Sequence, residues 1–182
     1  MNDERLQSLD KLYRDHAAAL IRIAGAVTRD TEASQDIVQE AFVRAYTGWH
    51  KLEDGAEDAR HWLVRVVVNL AIDHVRRGRV LHRQGGVLWR LGREVEWTSG
   101  DLSTSLGERD RVATALGRLR PQERAALVLR HYLGYDYASI ATILGTTSGT
   151  VGSLINRGHS RIRRDLSADV SAQDGLSIPS RR

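Results

Sequence analysis

The stretch YASIATILGTTSGTVGSLINRGHSRIRR, residues 137–164, decides how the chain is read. It reads as two helices joined by a tight turn, the second running into a basic end. Ile140, Ala141 and Leu144 give the first helix an apolar stripe. Gly145 stops that helix, because glycine adopts the left-handed C-terminal conformation without steric cost. Thr147 or Ser148 caps the next helix by accepting a hydrogen bond from its free amides. Val151, Leu154 and Ile155 then restore an apolar face. Small Ala141, turn Gly145, then Val151 and Leu154 is the spacing of a DNA-reading helix-turn-helix. An ordinary helical hairpin in a core has the same apolar pattern. The basic run Arg157, His159, Arg161, Arg163 and Arg164 favours DNA, since phosphates need cations beside the helix.

A chain of 182 residues holds one ordinary domain or two small ones. Its formal charge of +4 and pI near 9.8 favour a polyanionic partner. The 27 basic residues are nearly offset by 23 acidic ones, so their distribution matters more than the total. Cysteine is absent, which excludes disulfides, thiol catalysis and cysteine-ligated zinc. The start, MNDERLQSLDKLYRDH, has no apolar core of signal-peptide length. No apolar run approaches the roughly 20 residues that span a bilayer. A soluble, cytoplasmic chain without membrane insertion is expected. Two prolines, few aromatics and abundant Ala, Leu and Arg predict an all-α fold.

Working outward to the N-terminus, Leu12, Tyr13, Ala17, Leu20, Ile21, Ala24 and Val27 form a helical apolar stripe. Thr31 is the expected cap of the next helix, TEASQDIVQEAFVRAYTGW, with Glu32 favouring its dipole. That helix is expected to bury Ile37, Ala41, Phe42, Ala45 and Tyr46 and to show Asp36, Gln39, Glu40 and Arg44. Residues 48–59 read as an exposed loop with an acidic cluster of Glu53, Asp54, Glu57 and Asp58. A long helix is predicted from Arg60 to Arg77, with Leu63, Val66, Val67, Leu70 and Ala71 inside. Its other face carries Trp62, Arg65, Asn69, Asp73 and Arg76, groups that stack on bases and contact phosphates, or that simply solvate a helix. Arg76, Arg77, Arg79 and Arg83 make a basic cluster at the helix end.

Residues 81–107 change character, with repeated glycines and the loop-like SGDLSTS, and read as a flexible linker carrying Trp89 and Trp97. Helical patterning resumes through Val112, Ala115, Leu116 and Leu119. Pro121 suits a helix start, Glu123 its first turn and Gly134 its end, with Leu127, Val128, Leu129 and Leu133 inside. Residues 167–182 read as a disordered tail. No catalytic constellation emerges. His50, His61, His74 and His82 are scattered, and Asp73 and His74 are adjacent, so they cannot share one helix face. No HExxH motif or glycine-rich phosphate loop is present. Neither enzyme activity, metal, cofactor nor small-molecule substrate is expected.

Three stretches together resemble a bacterial RNA polymerase sigma factor of the sigma-70 family, extracytoplasmic-function (ECF) type. TEASQDIVQEAFVRAYTGW resembles region 2.2, and RHWLVRVVVNLAIDHVRRGRV resembles regions 2.3 to 2.4. LRPQERAALVLRHYLGYDYASIATILGTTSGTVGSLINRGHSRIRRDL resembles region 4. The resemblance implies two small helical domains: region 2 at residues 10–80 and region 4 at residues 108–166, with the helix-turn-helix at about 137–156. Its partners would be core RNA polymerase, through the β′ clamp and β subunits, and promoter DNA. Many relatives are also held inactive by an anti-sigma factor.

By the same resemblance, Asp36, Gln39 and Glu40 sit where such factors dock on the β′ clamp helices, with Arg44 and Trp49 extending the contact and Phe42 and Ala45 packed beneath. Trp62, Arg65, Asn69, Asp73, Arg76, Arg77 and Arg79 match the stretch that engages the −10 element and captures its non-template strand. Ser148 to Arg161 would enter the major groove at the −35 element, reading through Thr147, Ser148, Thr150, Ser153, Asn156, Arg157 and Arg161. There the chain departs from its relatives. They carry lysine, serine and arginine after the valine, where this chain has Gly152, Ser153 and Leu154, so two cationic contacts are expected to be missing. Gly158 also replaces a usual alanine, at a helix cost of roughly 0.5–1 kcal/mol. A stand-alone helix-turn-helix regulator is the competing reading.

Overall fold

The structure, a computed structural model, describes residues 2–48, 56–84 and 114–174, and places side chains at 5–48, 59–78 and 114–167. Every regular element among these residues is helical: α1 (Asn2–Thr28), α2 (Thr31–Thr47), α3 (Ala56–Gln84), α4 (described over 114–118), α5 (Pro121–Leu127) running into a π-helical turn (Val128–Tyr132), α6 (Tyr137–Leu144) and α7 (Ser148–Asp174). The all-α expectation is met. Trp49, Trp89 and Trp97 lie outside the described residues.

The α1–α2 corner is built from side-chain caps. Arg29 adopts a left-handed φ of 62° and its N–H returns to the Gly25 carbonyl at 2.8 Å. Asp30 is extended, and its carboxylate accepts the Ala33 N–H at 3.0 Å. The cap of α2 is therefore Asp30, one residue before the expected Thr31. The buried Thr28 hydroxyl bonds the Ala24 carbonyl and the Ser34 hydroxyl, which fixes the corner. α3 starts at Ala56 rather than Arg60 and runs to Gln84, past the expected Arg77. Glu57 and Asp58 thus fall in its first turn, where acidic residues suit the helix dipole.

Helices α1 to α3 pack as one unit. Leu20, Ile23 and Val27 of α1 meet Val38, Ala41 and Phe42 of α2 and Leu63, Val67 and Ala71 of α3 in its core. Tyr13 and Tyr46, expected inside, are 45% and 36% exposed. Tyr13 instead covers Phe42 edge-on, with ring centroids 5.0 Å apart. α3 buries more than its predicted stripe, since Val64, Val68 and Ile72 are also inside. The reason is tertiary: α3 packs against α1, α2, α5 and α6 together.

The second unit starts from Pro121 at the first position of α5. The π-helical turn and Gly134 (φ 72°) end that helix, and the Asp136 carboxylate caps α6 from the Ser139 N–H at 2.7 Å. Gly145 closes α6 at a left-handed φ of 61°, as the sequence predicts. The Thr147 hydroxyl then accepts the Thr150 N–H at 3.2 Å, so Thr147 is the cap of α7. α6 and α7 are bent 96° from each other, with Ile140, Ile143 and Leu144 buried against Val151, Leu154 and Ile155. Gly158 has a packing reason. A Cβ there would stand 2.8 Å from Leu127 Cδ1, so glycine lets α5 approach α7. α7 continues to Asp174, into the stretch expected as tail. One cluster of buried apolar residues runs through both units.

Replacing Gly145 with alanine forces a side chain into the left-handed region and should cost about 1–2 kcal/mol. Asp30→Ala, which removes a cap, should cost about 1 kcal/mol. Leu63→Ala should cost about 2–5 kcal/mol through the cavity it leaves. Urea unfolding followed by circular dichroism should show the midpoint falling least for Asp30→Ala, more for Gly145→Ala and most for Leu63→Ala, while the slope stays constant.

Candidate nucleic-acid interface

The outward face of α7 follows from its inward one. With Val151, Leu154 and Ile155 in the core, Ser148, Thr150, Ser153, Asn156 and Arg157 are left exposed beside Thr147. This brings the expected −35 residues onto one surface. The Ser153 hydroxyl donates to the Gly149 carbonyl at 3.1 Å, and Arg157 Nε donates to the Ser153 carbonyl at 3.1 Å. The latter bond lays the arginine stem along the helix and leaves its terminal amino groups facing out.

Arg161 is held differently. Its Nε lies 3.5 Å from Oε2 of Glu123, which is fully buried and also accepts the Arg120 N–H at 3.1 Å. Glu123 lies in the first turn of α5, as expected, and is in addition a core carboxylate with a cation in front of it. A buried charge without such a partner would be costly. Nearby, Arg118 Nη1 lies 3.7 Å from Asp165 Oδ1. Arg118, Asn156, Arg157, Ser160, Arg161, Arg164 and Asp165 line a cleft of about 610 Å³ along α7. Four guanidiniums against one carboxylate make that cleft electropositive, which suits backbone phosphates.

The structure corrects one expectation here. Of the two positions where relatives carry cations, Leu154 is core and 6% exposed. Only Gly152 faces outward, beside Tyr137, where a Cβ would sit 3.6 Å from the ring in ordinary contact. Arg130, missed by the sequence reading, points its guanidinium over the Tyr137 ring at 5.5 Å and donates to the Tyr135 carbonyl at 3.0 Å. It also helps Asp136 stay ionised: hydrogen bonds from Ser139, its backbone N–H foremost, and the Arg130 charge hold that carboxyl below its usual pKa.

The basic face of α3 is only partly open. Arg65, Asp73, Arg76 and Arg77 are exposed, with Asp73 and Arg76 in a loose surface pair at 3.8 Å. Trp62 and Asn69 are half-buried, and Asn69 Nδ2 donates to the Ile143 carbonyl of α6 at 3.0 Å. Arg79 belongs to α3, but its side chain lies outside the described residues.

On α2, Asp36, Gln39, Glu40 and Arg44 share the solvent face over buried Phe42 and Ala45, and Arg44 pairs with Glu40. The sequence reading missed Val43, which is 62% exposed, and placed Tyr46 inside. Both extend this polar face with apolar surface. The signal was there: Val43 falls off the buried stripe of Ile37, Ala41 and Ala45, and an apolar residue off the stripe is the informative one.

Two exposed histidines join the π-helical turn to α7. Their Nε2 atoms are 3.0 Å apart, with His131 on the turn and His159 on α7. Burial first, then the neighbouring His159 and Arg130, hold His131 below the ordinary histidine pKa. Among the described residues, no three histidine, aspartate or glutamate side chains gather as metal ligands. No single described helix is long and apolar enough to cross a membrane.

Two helical units, one with a polar helix and a basic helix and the other with an exposed helix-turn-helix, define a bipartite DNA-binding protein. Comparison narrows that class. Residues 12–80 match Sigma-70 region 2 and residues 109–162 match Sigma-70 region 4. The chain is 35% identical over 145 residues to the ECF RNA polymerase sigma factor SigL of Mycobacterium tuberculosis, spanning 80% of this chain and 81% of that one. It is 31% identical over 159 residues to SigM of the same organism, spanning 87% and 77%. Among solved structures it resembles the sigma factor RpoE of Bartonella quintana, crystallised with the anti-sigma factor NepR, at TM-score 0.68 and 24% identity over 93% of this chain and 99% of that one. CnrH in complex with the cytosolic domain of CnrY matches at TM-score 0.60 and 25% identity, covering 90% of each chain. The chain belongs to the ECF sigma factors of the sigma-70 family. It is a transcription initiation factor that directs RNA polymerase to promoter DNA, and proteins of this family are regulators rather than catalysts.

Gly152→Lys adds a cation on the open face of α7 without displacing Tyr137. Duplex DNA binding measured across salt concentrations should gain about one unit of slope. Leu154→Arg should instead unfold the unit at lower urea. For His131, the lowered pKa means that the unfolded chain takes up its proton first as pH falls. Stability should therefore be intact above the ordinary histidine pKa of 6.5 and decline below it. His131→Gln should flatten that decline in thermal unfolding between pH 7.5 and 5.5 on the scale of an ordinary histidine titration.

Proposed function

We propose that the three exposed faces divide the work of initiation. Asp36, Gln39, Glu40 and Arg44, with Trp49, dock on the β′ clamp helices of core polymerase, and Val43 and Tyr46 give that contact an apolar centre. Polar residues suit a face that stays soluble before docking, and their charges fix the register. Trp62, Arg65, Asn69, Asp73, Arg76, Arg77 and Arg79 engage the −10 element and hold its non-template strand single-stranded. Turning a base out costs a few kcal/mol, which stacking and backbone contacts offset. Binding energy thus opens the DNA, and RNA synthesis remains the work of the polymerase.

Thr147, Ser148, Thr150, Ser153, Asn156, Arg157 and Arg161 read the −35 element. Hydroxyls and one amide line the face, so cations at its lower end hold the phosphates while short polar groups meet the bases. The units correspond to residues 10–80 and 108–166, and residues 81–107 thread through polymerase channels toward the RNA exit path. The chain works in the cytoplasm. Because RpoE of Bartonella quintana is crystallised with an anti-sigma factor, an anti-sigma partner for this chain is part of the proposal. The observation that supports the reading is the outward face of α7, where Ser148, Thr150, Ser153, Asn156 and Arg157 are exposed beside Thr147.

Reconstitution is the test. Purified chain added to core polymerase should yield transcripts from discrete promoters in a genomic template library. Asp36→Ala with Gln39→Ala should lower core affinity about tenfold, and Arg76→Ala with Arg77→Ala should spare core binding while reducing open complexes. Free-chain binding to a duplex operator as a dimer, with no transcription from core polymerase, would sink the proposal.

A further inference from the structure

The junction of α5 with α7 carries two histidines that lie outside the three faces assigned above. Leu127, the last residue of α5, packs so closely on Gly158 of α7 that a Cβ on the glycine would stand 2.8 Å from Leu127 Cδ1. His131 lies about one helical turn beyond Leu127, and His159 directly follows Gly158. The π-helical turn from Val128 to Tyr132 holds one residue more than an α-turn, which re-aims the side chains on it. It is closed by the Leu133 N–H, which donates to the Val128 carbonyl at 3.3 Å. The result is two exposed imidazoles whose Nε2 atoms are 3.0 Å apart, from residues 28 positions apart in the chain.

We propose that His131 and His159 form a two-histidine site for a divalent transition metal of right-angled geometry, copper(II) or nickel(II), which staples the end of α5 to α7. Imidazole nitrogen binds such ions at about 2.0–2.1 Å, so a 3.0 Å separation sets an N–metal–N angle of about 95°. That suits neighbouring positions of a square-planar or tetragonal ion and falls short of the tetrahedral angle of about 109° that zinc adopts. Water supplies the remaining positions, since no third histidine, aspartate or glutamate gathers with the pair among the described residues. The metal takes the place of the proton that the two nitrogens share in their hydrogen bond. Binding needs both rings neutral, and burial first, then His159 and Arg130, hold His131 in that direction. The Arg130 guanidinium itself is drawn aside to the Tyr135 carbonyl and the Tyr137 ring. A loaded unit is harder to unfold, because the ion binds the native pair and not the separated histidines of the unfolded chain.

Copper(II), nickel(II) and zinc(II) are titrated one at a time into the full chain, above the ordinary histidine pKa of about 6.5. Calorimetry should give one equivalent of copper or nickel, each bound more tightly than zinc, and the thermal midpoint should rise with metal concentration. Electron paramagnetic resonance of the copper-loaded chain should show two nitrogen ligands. His131→Gln and His159→Gln replace exposed side chains and should fold. Each should lose the one-equivalent step and the thermal shift, whereas His16→Gln, on α1, should keep both. A step that survives in either variant belongs elsewhere on the chain and overturns the proposal. So does its absence from the wild type, or zinc binding more tightly than copper and nickel. Neither polymerase nor DNA enters this experiment, so its outcome is independent of the promoter reading.

Discussion

The fold depends on burying α3. Leu63, Val67 and Ala71 would make an ordinary amphipathic stripe, but Val64, Val68 and Ile72 are also at most 3% exposed. An apolar arc that wide cannot be covered by α1 and α2 alone without leaving apolar surface in water. Packing of α5 and α6 against the same helix completes the cover. At about 25 cal/mol per Å² of apolar surface removed from water, such burial outweighs any single polar contact at the seam. The polar contacts choose the register of the two units, and the aliphatic side chains hold them together.

What the sequence discloses is what acts within one turn. Gly145, Gly134 and Pro121 do what their backbone chemistry demands, and each was legible because the constraint lies in the residue itself. The caps were read one residue off at Asp30, since several capping side chains stand in a row and only the backbone turn selects among them. Leu154 teaches a further point. Its periodicity with Val151 and Ile155 put it inside, whereas the resemblance to relatives put it among the DNA contacts; the physical pattern was the better guide. The half-burial of Trp62 and Asn69 and the core position of Glu123 depend on which elements meet. No window of the sequence contains that.

Charge placement explains how a chain of modest net charge presents a strong local field. Glu123, buried behind Arg161, and Asp165, beside Arg118, do not cancel the cleft; they fix the direction of two guanidiniums whose stems would otherwise be mobile. Arginine suits this use because its planar head can pair with a carboxylate through one edge and still offer donors through another. The cost is one carboxylate taken fully out of water, bearable because Arg120 N–H and Arg161 both face it. The same logic, a fixed carboxylate shaping a neighbouring cation, recurs on a smaller scale at Asp136 and Arg130.

Asn69 links these themes, because its amide joins a helix of the first unit to one of the second. It satisfies a helix-end carbonyl of α6 that would otherwise turn to water. A neutral hydrogen bond contributes about 0.5–1.5 kcal/mol net, so trading one for another is nearly neutral. The contact therefore sets where α6 sits without locking it there. The stronger hold is the apolar surface that the two units share.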